Sequence, residues 1–158
     1  MINIGIFEIK HHHVYLSNIC KICKIENSEV TVFTTEHVIS KAKYLLKEIP
    51  QIKFVIKKDS ESYTAFFRKV ECICNTKIDL LFVNTIQGNL LDLFHFLNFS
   101  PKCKSILTIH NVNLWLKPKI SLKIKNGARY PALVRSVNSI ISSAMKHLIL
   151  QKYDAINV

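Results

Sequence analysis

Ile78-Asp79-Leu80-Leu81-Phe82-Val83-Asn84 decides the fold, because it is a short apolar run that ends on a polar residue and is flanked by helical periodicity. A continuous run of this kind reads as a strand covered on both faces, whereas a half-exposed strand alternates apolar and polar side chains. Downstream, Ser105-Ile106-Leu107-Thr108-Ile109-His110 has the same character, and upstream so does Glu29-Val30-Thr31-Val32-Phe33-Thr34. The start of the chain, with Ile2, Ile4, Ile6 and Phe7, and the segment 52–57, framed by Pro50 and Asp59, supply two further strands. Residues 154–158 begin another.

The intervening segments carry helix spacing. Val14, Leu16, Ile19, Ile22, Cys23 and Ile25 recur mostly every three or four residues, as do Val38, Ala42, Leu45 and Ile49. Tyr63, Phe66, Phe67, Val70 and either Ile73 or Cys74 mark a third helix. The stretch 90–97 is apolar on nearly every side, which predicts either a deeply buried helix or a turn. The last helix has Pro131 in its first turn and a single stripe of Leu133, Val137, Ile140, Ile141, Ala144 and Leu148, with Arg135, Lys146 and Lys152 off it. Strand and helix alternating in this way predict an α/β fold: a Rossmann-like parallel sheet of about five or six strands with helices on both faces. No internal repeat is visible, and residues 1–158 read as a single domain. Ligands in such sheets sit beyond the carboxyl ends of the strands, so residues 8–13, 34–37, 84–89 and 110–115 are the places to search.

Composition narrows the partners. The 158 residues hold 22 Lys and Arg against 11 Asp and Glu, a formal charge of +11. That excess points to a polyanion, but charge alone does not choose between nucleic acid, anionic lipid and nucleotide phosphate. Hydrophobic residues make up 49%, with 3 Gly and 4 Pro, which excludes a disordered or fibrous chain. No run reaches the roughly 20 apolar residues of a membrane span, and Glu8 interrupts the apolar start too early for a signal peptide, so the chain reads as cytoplasmic. The 5 cysteines, an odd number in a chain with no disulfide-scaffold composition, read as reduced thiols. Cys20 and Cys23 have redox or zinc spacing but fall on the apolar side of the first helix, where buried, inert thiols are expected. Cys72 and Cys74 have no second pair at zinc-finger spacing, so no metal is expected.

The first strand leads into Glu8-Ile9-Lys10-His11-His12-His13, which lacks the glycines of a dinucleotide fingerprint; no nicotinamide or flavin cofactor is expected. Lys10, His11 and His12 beside a helix N-terminus suit an anion, against the plainer reading of a solvated polar turn. His110 ends a central strand and can reach the cleft, to bond a sugar hydroxyl, steady a phosphate or move a proton; the alternative is a bond to a neighbouring backbone carbonyl. Asn84, Gln87 and Asn111 lie on the same predicted edge. Residues 114–125 join Trp115 to Lys117, Lys119, Lys123 and Lys125. This basic, apolar segment suits an anionic membrane surface better than base reading, against the plainer reading of a solvated loop.

In order, these segments resemble the N-terminal domain of a GT-B glycosyltransferase, most of all the retaining family 4 group. Residues 29–35 are similar to that family's second strand and the Asp-led run 78–84 to its fourth. Ile106-Leu107-Thr108-Ile109-His110-Asn111 resembles its Thr-x-His-Asp strand end, and residues 153–158 its Ala-Asp-x-Ile-x-Val segment near the domain boundary. The resemblance implies an acceptor-side domain of a longer two-domain enzyme, with His110 at the active-site cleft. It further implies a nucleotide-sugar donor held by a second domain and a glycan or lipid acceptor. Departures accompany it. The family's Gly-Gly loop is replaced by Ile9-Lys10-His11-His12, Asn111 stands where Asp is usual, and the donor-binding Glu-x7-Glu element is absent from this sequence, so the chain alone is expected to lack full transferase activity. The competing reading is a non-enzymatic basic α/β module for nucleic acid or another polyanion; it lacks any helix-turn-helix, RNP or zinc-finger pattern.

Overall fold

The computed structural model describes residues 1–10, 13–25, 28–46, 49, 52–84, 86, 90–109, 116–118 and 129–157. Strands and helices alternate through most of the chain: β1 (Asn3–Glu8), α1 (His13–Ile25), β2 (Glu29–Thr35), α2 (Glu36–Leu46), β3 (Ile52–Lys57), α3 (Tyr63–Lys77), β4 (Leu80–Asn84), α4 (Leu90–Asn98), β5 (Lys104–Thr108), α5 (Arg129–Leu150) and β6 (Ala155–Asn157). The strands form a 6-stranded sheet in the order β3-β2-β1-β4-β5-β6, and every pairing is parallel. This is the doubly wound Rossmann-like arrangement, with strand order reversing between β1 and β4.

Side-chain alternation in the central strands divides the core into two layers. Ile4, Ile6, Val30 and Val32 point to the face covered by α1 and α2, where they meet Leu16, Ile19, Cys20, Cys23, Val38 and Ala42. Phe7, Phe33, Leu81, Val83 and Leu107 point to the other face, against Phe66, Phe67 and Val70 of α3, Leu93 and Phe96 of α4 and Ile149 of α5. Phe7 is the centre of that second layer, with ring centroids 5.1 Å from Phe67, 5.7 Å from Phe96 and 5.4 Å from Phe99. Such pairs contribute about 0.5–1.5 kcal/mol each beyond their buried area. Gly5 permits this packing, because a Cβ there would stand 2.9 Å from Leu81 Cδ1 and 3.1 Å from Phe33 Cε2.

Ile4, Ile6, Val32, Leu81, Val83, Leu107 and Ile109 are all buried, as the sequence predicts. Boundaries differ. β4 begins at Leu80 rather than Ile78, because the Ile78 N–H still bonds Cys74 O and caps α3. Asp79 then fastens the strand: its Oδ2 accepts from Asn3 N at 2.8 Å while its own N–H donates to Asn3 O at 2.9 Å. Asp154 does the same for β6, accepting from Ser105 N at 2.7 Å and donating to Ser105 O at 3.0 Å. The aspartates that lead these two runs therefore pin strand pairing.

Four expectations about helix and strand faces are corrected. The 90–97 segment is a helix, but it is amphipathic rather than deeply buried: Leu93 and Phe96 are enclosed while Leu91 and Phe94 are exposed. In α1, Val14 and Ile22 face outward and Cys20 takes an inner position instead. The α5 stripe is the larger correction. Val137, Ile140, Ile141 and Leu148 are exposed, and the helix docks through Ile149 with Met145 and Leu150 beside it. A period of 3.6 finds an apolar stripe but does not say which of two faces meets the sheet. Finally, β6 is an exposed edge, not a buried strand. No helix among the described residues is long and apolar enough to cross a membrane.

Candidate functional site at the carboxyl edge of the sheet

Buried polar groups are costly unless paired, so where they gather is informative. Glu8, Thr34, Thr35, Lys57, Asn84 and Thr108 are all buried, and they terminate β1, β2, β3, β4 and β5 at the carboxyl edge. The remaining buried polar residues are scattered: Ser17 lies in α1, and Ser28 and Ser105 lie near the opposite ends of β2 and β5. One edge of the sheet is thus a polar rim set in an apolar core.

Several of these groups are satisfied within the chain. Glu8 Oε1 accepts from Lys10 N at 2.7 Å, closing the turn after β1. Tyr15 Oη and Thr108 Oγ1 lie 3.1 Å apart, joining α1 to β5 across the switch point. Lys10 Nζ donates to Asp92 Oδ2 at 2.8 Å, linking the β1 turn to the first turn of α4, so its charge is already offset. Asn84 is different. It is 3% exposed, yet neither amide atom has a hydrogen-bond partner among the described residues. Thr34, paired in register with Glu8, likewise leaves its buried hydroxyl unpartnered. β4 carries Asn84 and β2 carries Thr34, on either side of β1, so the orphaned groups flank the central strand.

On the β1–β3 side of the rim lies a cavity of about 320 Å³ lined by Lys10, Thr35, His37, Lys57, Asp59 and Tyr63. A larger hollow of about 390 Å³ lies between α3 and α4, lined by Phe67, Arg68, Glu71, Phe94 and His95 among others. It is away from the strand ends, on the outer face of the helical layer, and contains none of the buried polar rim.

Among the residues that the sequence singles out, Lys10 and Asn84 are at the rim, and Lys117 is exposed. His11, His12, Gln87, His110, Asn111, Trp115, Lys119, Lys123 and Lys125 lie outside the described residues. Thr34 lies in the 34–37 stretch that the strand-end rule selects, whereas Lys57 and Tyr63 are residues that the sequence reading missed. The rule that selected the ends of β1, β2, β4 and β5 also applies to β3, and Lys57 is its last residue.

The thiols sit elsewhere. Cys20 and Cys23 are free and buried. Burial, with Cys23 close by, pushes the Cys20 thiol from its ordinary 9.0 up to about 12, and burial raises Cys23 too. Burial thus disfavours the thiolate form of both. Among the described residues there is no cluster of three or more potential metal ligands.

A doubly wound parallel sheet with a polar carboxyl rim defines a Rossmann-like α/β domain. Its likeness to solved structures agrees: the yeast methylglyoxal/isovaleraldehyde reductase Gre2, solved with NADPH, superposes at a TM-score of 0.51 with 8% identity over 99% of this chain. This chain spans 57% of that protein, and at such identity the likeness concerns the fold alone. A putative fructose-1,6-biphosphate aldolase from Coccidioides immitis aligns over 99% of this chain and 73% of its own, with 9% identity and a TM-score of 0.26. No family model and no curated protein matches the chain.

Proposed function

We propose that the chain is the acceptor-side Rossmann-like domain of a glycosyltransferase of the GT-B kind, in which a glycan or lipid hydroxyl receives a sugar from a nucleotide sugar. The observation that carries this reading is the Asn84 side chain, a buried amide with no partner at the carboxyl end of β4. An amide offers an acceptor and two donors. Held beside the switch point, that combination suits neighbouring sugar hydroxyls, which donate and accept alike. Glu8 argues in the same direction. Its carboxyl is buried at the end of β1, where a dinucleotide-binding domain brings a pyrophosphate against glycine backbone, and a carboxylate there opposes a second anion while accepting from a hydroxyl.

In this reaction the acceptor oxygen bonds to the anomeric carbon, the bond from that carbon to the diphosphate oxygen breaks, the nucleoside diphosphate leaves with the bonding pair, and the acceptor's hydroxyl proton passes to the departing diphosphate oxygen. The domain described here contributes acceptor orientation, and the donor belongs to a second domain. The resemblance implies a place for His110 at the cleft. The basic segment holding Trp115, Lys117, Lys119, Lys123 and Lys125 would bring the domain to an anionic membrane carrying a lipid acceptor.

Saturation-transfer NMR of the chain with a panel of mono- and disaccharides tests the reading. Transfer to at least one sugar is expected, with loss in Asn84→Leu. A folded chain that receives no sugar, or an Asn84→Leu variant that binds as well, refutes it.

A further inference from the structure

Lys57 is buried, 8% exposed, at the carboxyl end of β3. Its ammonium donates to Lys58 O at 3.0 Å and stands 4.7 Å from the centroid of the Tyr63 ring. Neither neighbour carries negative charge. The ion pairs of Lys10 with Asp92, Lys53 with Glu29 and Lys69 with Glu61 leave Lys57 without a carboxylate among the described residues. An ammonium has three donors, and among the described residues a carbonyl and a ring face are its neighbours, so further donors are available to an anion in the cavity that Lys57 lines.

The surroundings suit an anion. Lys57 lines the cavity of about 320 Å³ together with Lys10, Thr35, His37, Asp59 and Tyr63. His37 lies in the first turn of α2 and Tyr63 begins α3, so two helices of 11 and 15 residues present their amino ends here. Asp59 is the one carboxylate in the lining and is exposed. The donors in this lining suit a group with several acceptor oxygens.

We propose that this cavity is a phosphate-binding site, with Lys57 as its central cation and a phosphomonoester as its ligand class. It is separate from the Asn84 position and does not depend on the glycosyltransferase reading. The monoester belongs either to a small soluble metabolite or to a lipid headgroup, since both present the same dianion.

The test is a titration of the ¹⁵N-labelled chain with inorganic phosphate, and then with glycerol 3-phosphate, at constant ionic strength held by potassium chloride. Saturable shifts are expected at the Thr35, Lys57 and Tyr63 amides, with affinity at least about tenfold lower in Lys57→Met and within about threefold of the original in Lys57→Arg. Sedimentation with phosphatidic acid vesicles, sensitive to Lys57→Met, would assign the headgroup source; binding of glycerol 3-phosphate alone would assign the soluble one. Absence of saturable shifts, shifts confined to residues away from this cavity, or equal affinity in a folded Lys57→Met variant overturns the proposal. If Lys57→Met fails to fold, the location of the shifts in the unaltered chain and the behaviour of Lys57→Arg still decide it. Because Asn84→Leu should keep phosphate binding while losing sugar binding, failure of either proposal is separable from failure of the other.

Discussion

Replacing Asn84 with leucine should make the protein more stable while removing its proposed acceptor contact. Asn84 sits in β4, in register with Thr108 of β5, and both atoms of its buried amide lack partners. Burying an amide without hydrogen bonds costs about 1–3 kcal/mol by mutational measures. Leucine has nearly the same shape and no polar atoms to desolvate, and on alternation it points to the sheet face opposite Val83 and Leu107, the face on which Phe82 packs. A gain of about 2 kcal/mol is therefore expected, which for a chain of this size raises Tm by about 4–8 °C. Urea unfolding followed by circular dichroism checks it: the midpoint should rise with an unchanged slope. A loss of about 1 kcal/mol or more with the same slope would show that the amide is paired through bound water and holds the fold together. The idea that it waits for a ligand would then fall.

Gly5→Ala should destabilise the domain by about 1–3 kcal/mol, since the added methyl meets Leu81 and Phe33 in a packed layer; calorimetry showing an unchanged Tm would mean that β1 shifts freely. Alkaline stability should fall between about pH 9 and 12. The unfolded chain releases the Cys20 proton near 9.0 while the native state holds it up to about 12, so the folded form binds more protons and loses ground as pH rises. Cys20→Ser should flatten that part of the pH–stability curve. Asp92→Asn should cost about 1 kcal/mol or more by unpairing a half-enclosed Lys10, and should tighten phosphate binding at low salt; equal affinity would place Lys10 too far from the anion.

Most of the sheet was legible because buried parallel strands are short segments rich in β-branched and apolar residues, as β1, β2, β4 and β5 are. Their ends were less so. Ile78 looks like strand in sequence, yet it is the residue on which α3 closes its last backbone bond, a competition that no pattern reveals. The α5 stripe misled for a related reason: Met145, Ile149 and Leu150 form a second apolar face, and only the position of α4 and the sheet decides which one is enclosed. Asn84 was legible as a strand-end polar residue. Lys57 was not, since β3 alternates Ile-Lys-Phe-Val-Ile-Lys and a terminal lysine there reads as one more solvated charge. Its burial depends on Tyr63, which arrives from α3 and covers it.

The strand order has a consequence for how the chain reaches this structure. β1 is central, but its neighbour on one side, β4, lies far along the chain, Ile4 pairing with Leu80. A nascent chain that has produced only β1, β2 and β3 can form a three-stranded sheet, but the flank of β1 then offers its unpaired amides and carbonyls, and Phe7, to any passing strand. Closing so long a loop is slow compared with local helix formation. The interval before β4 emerges is when self-association competes with folding. Slowing synthesis across residues 57–80 should then raise the insoluble fraction, and a chaperone that shields strand edges should lower it.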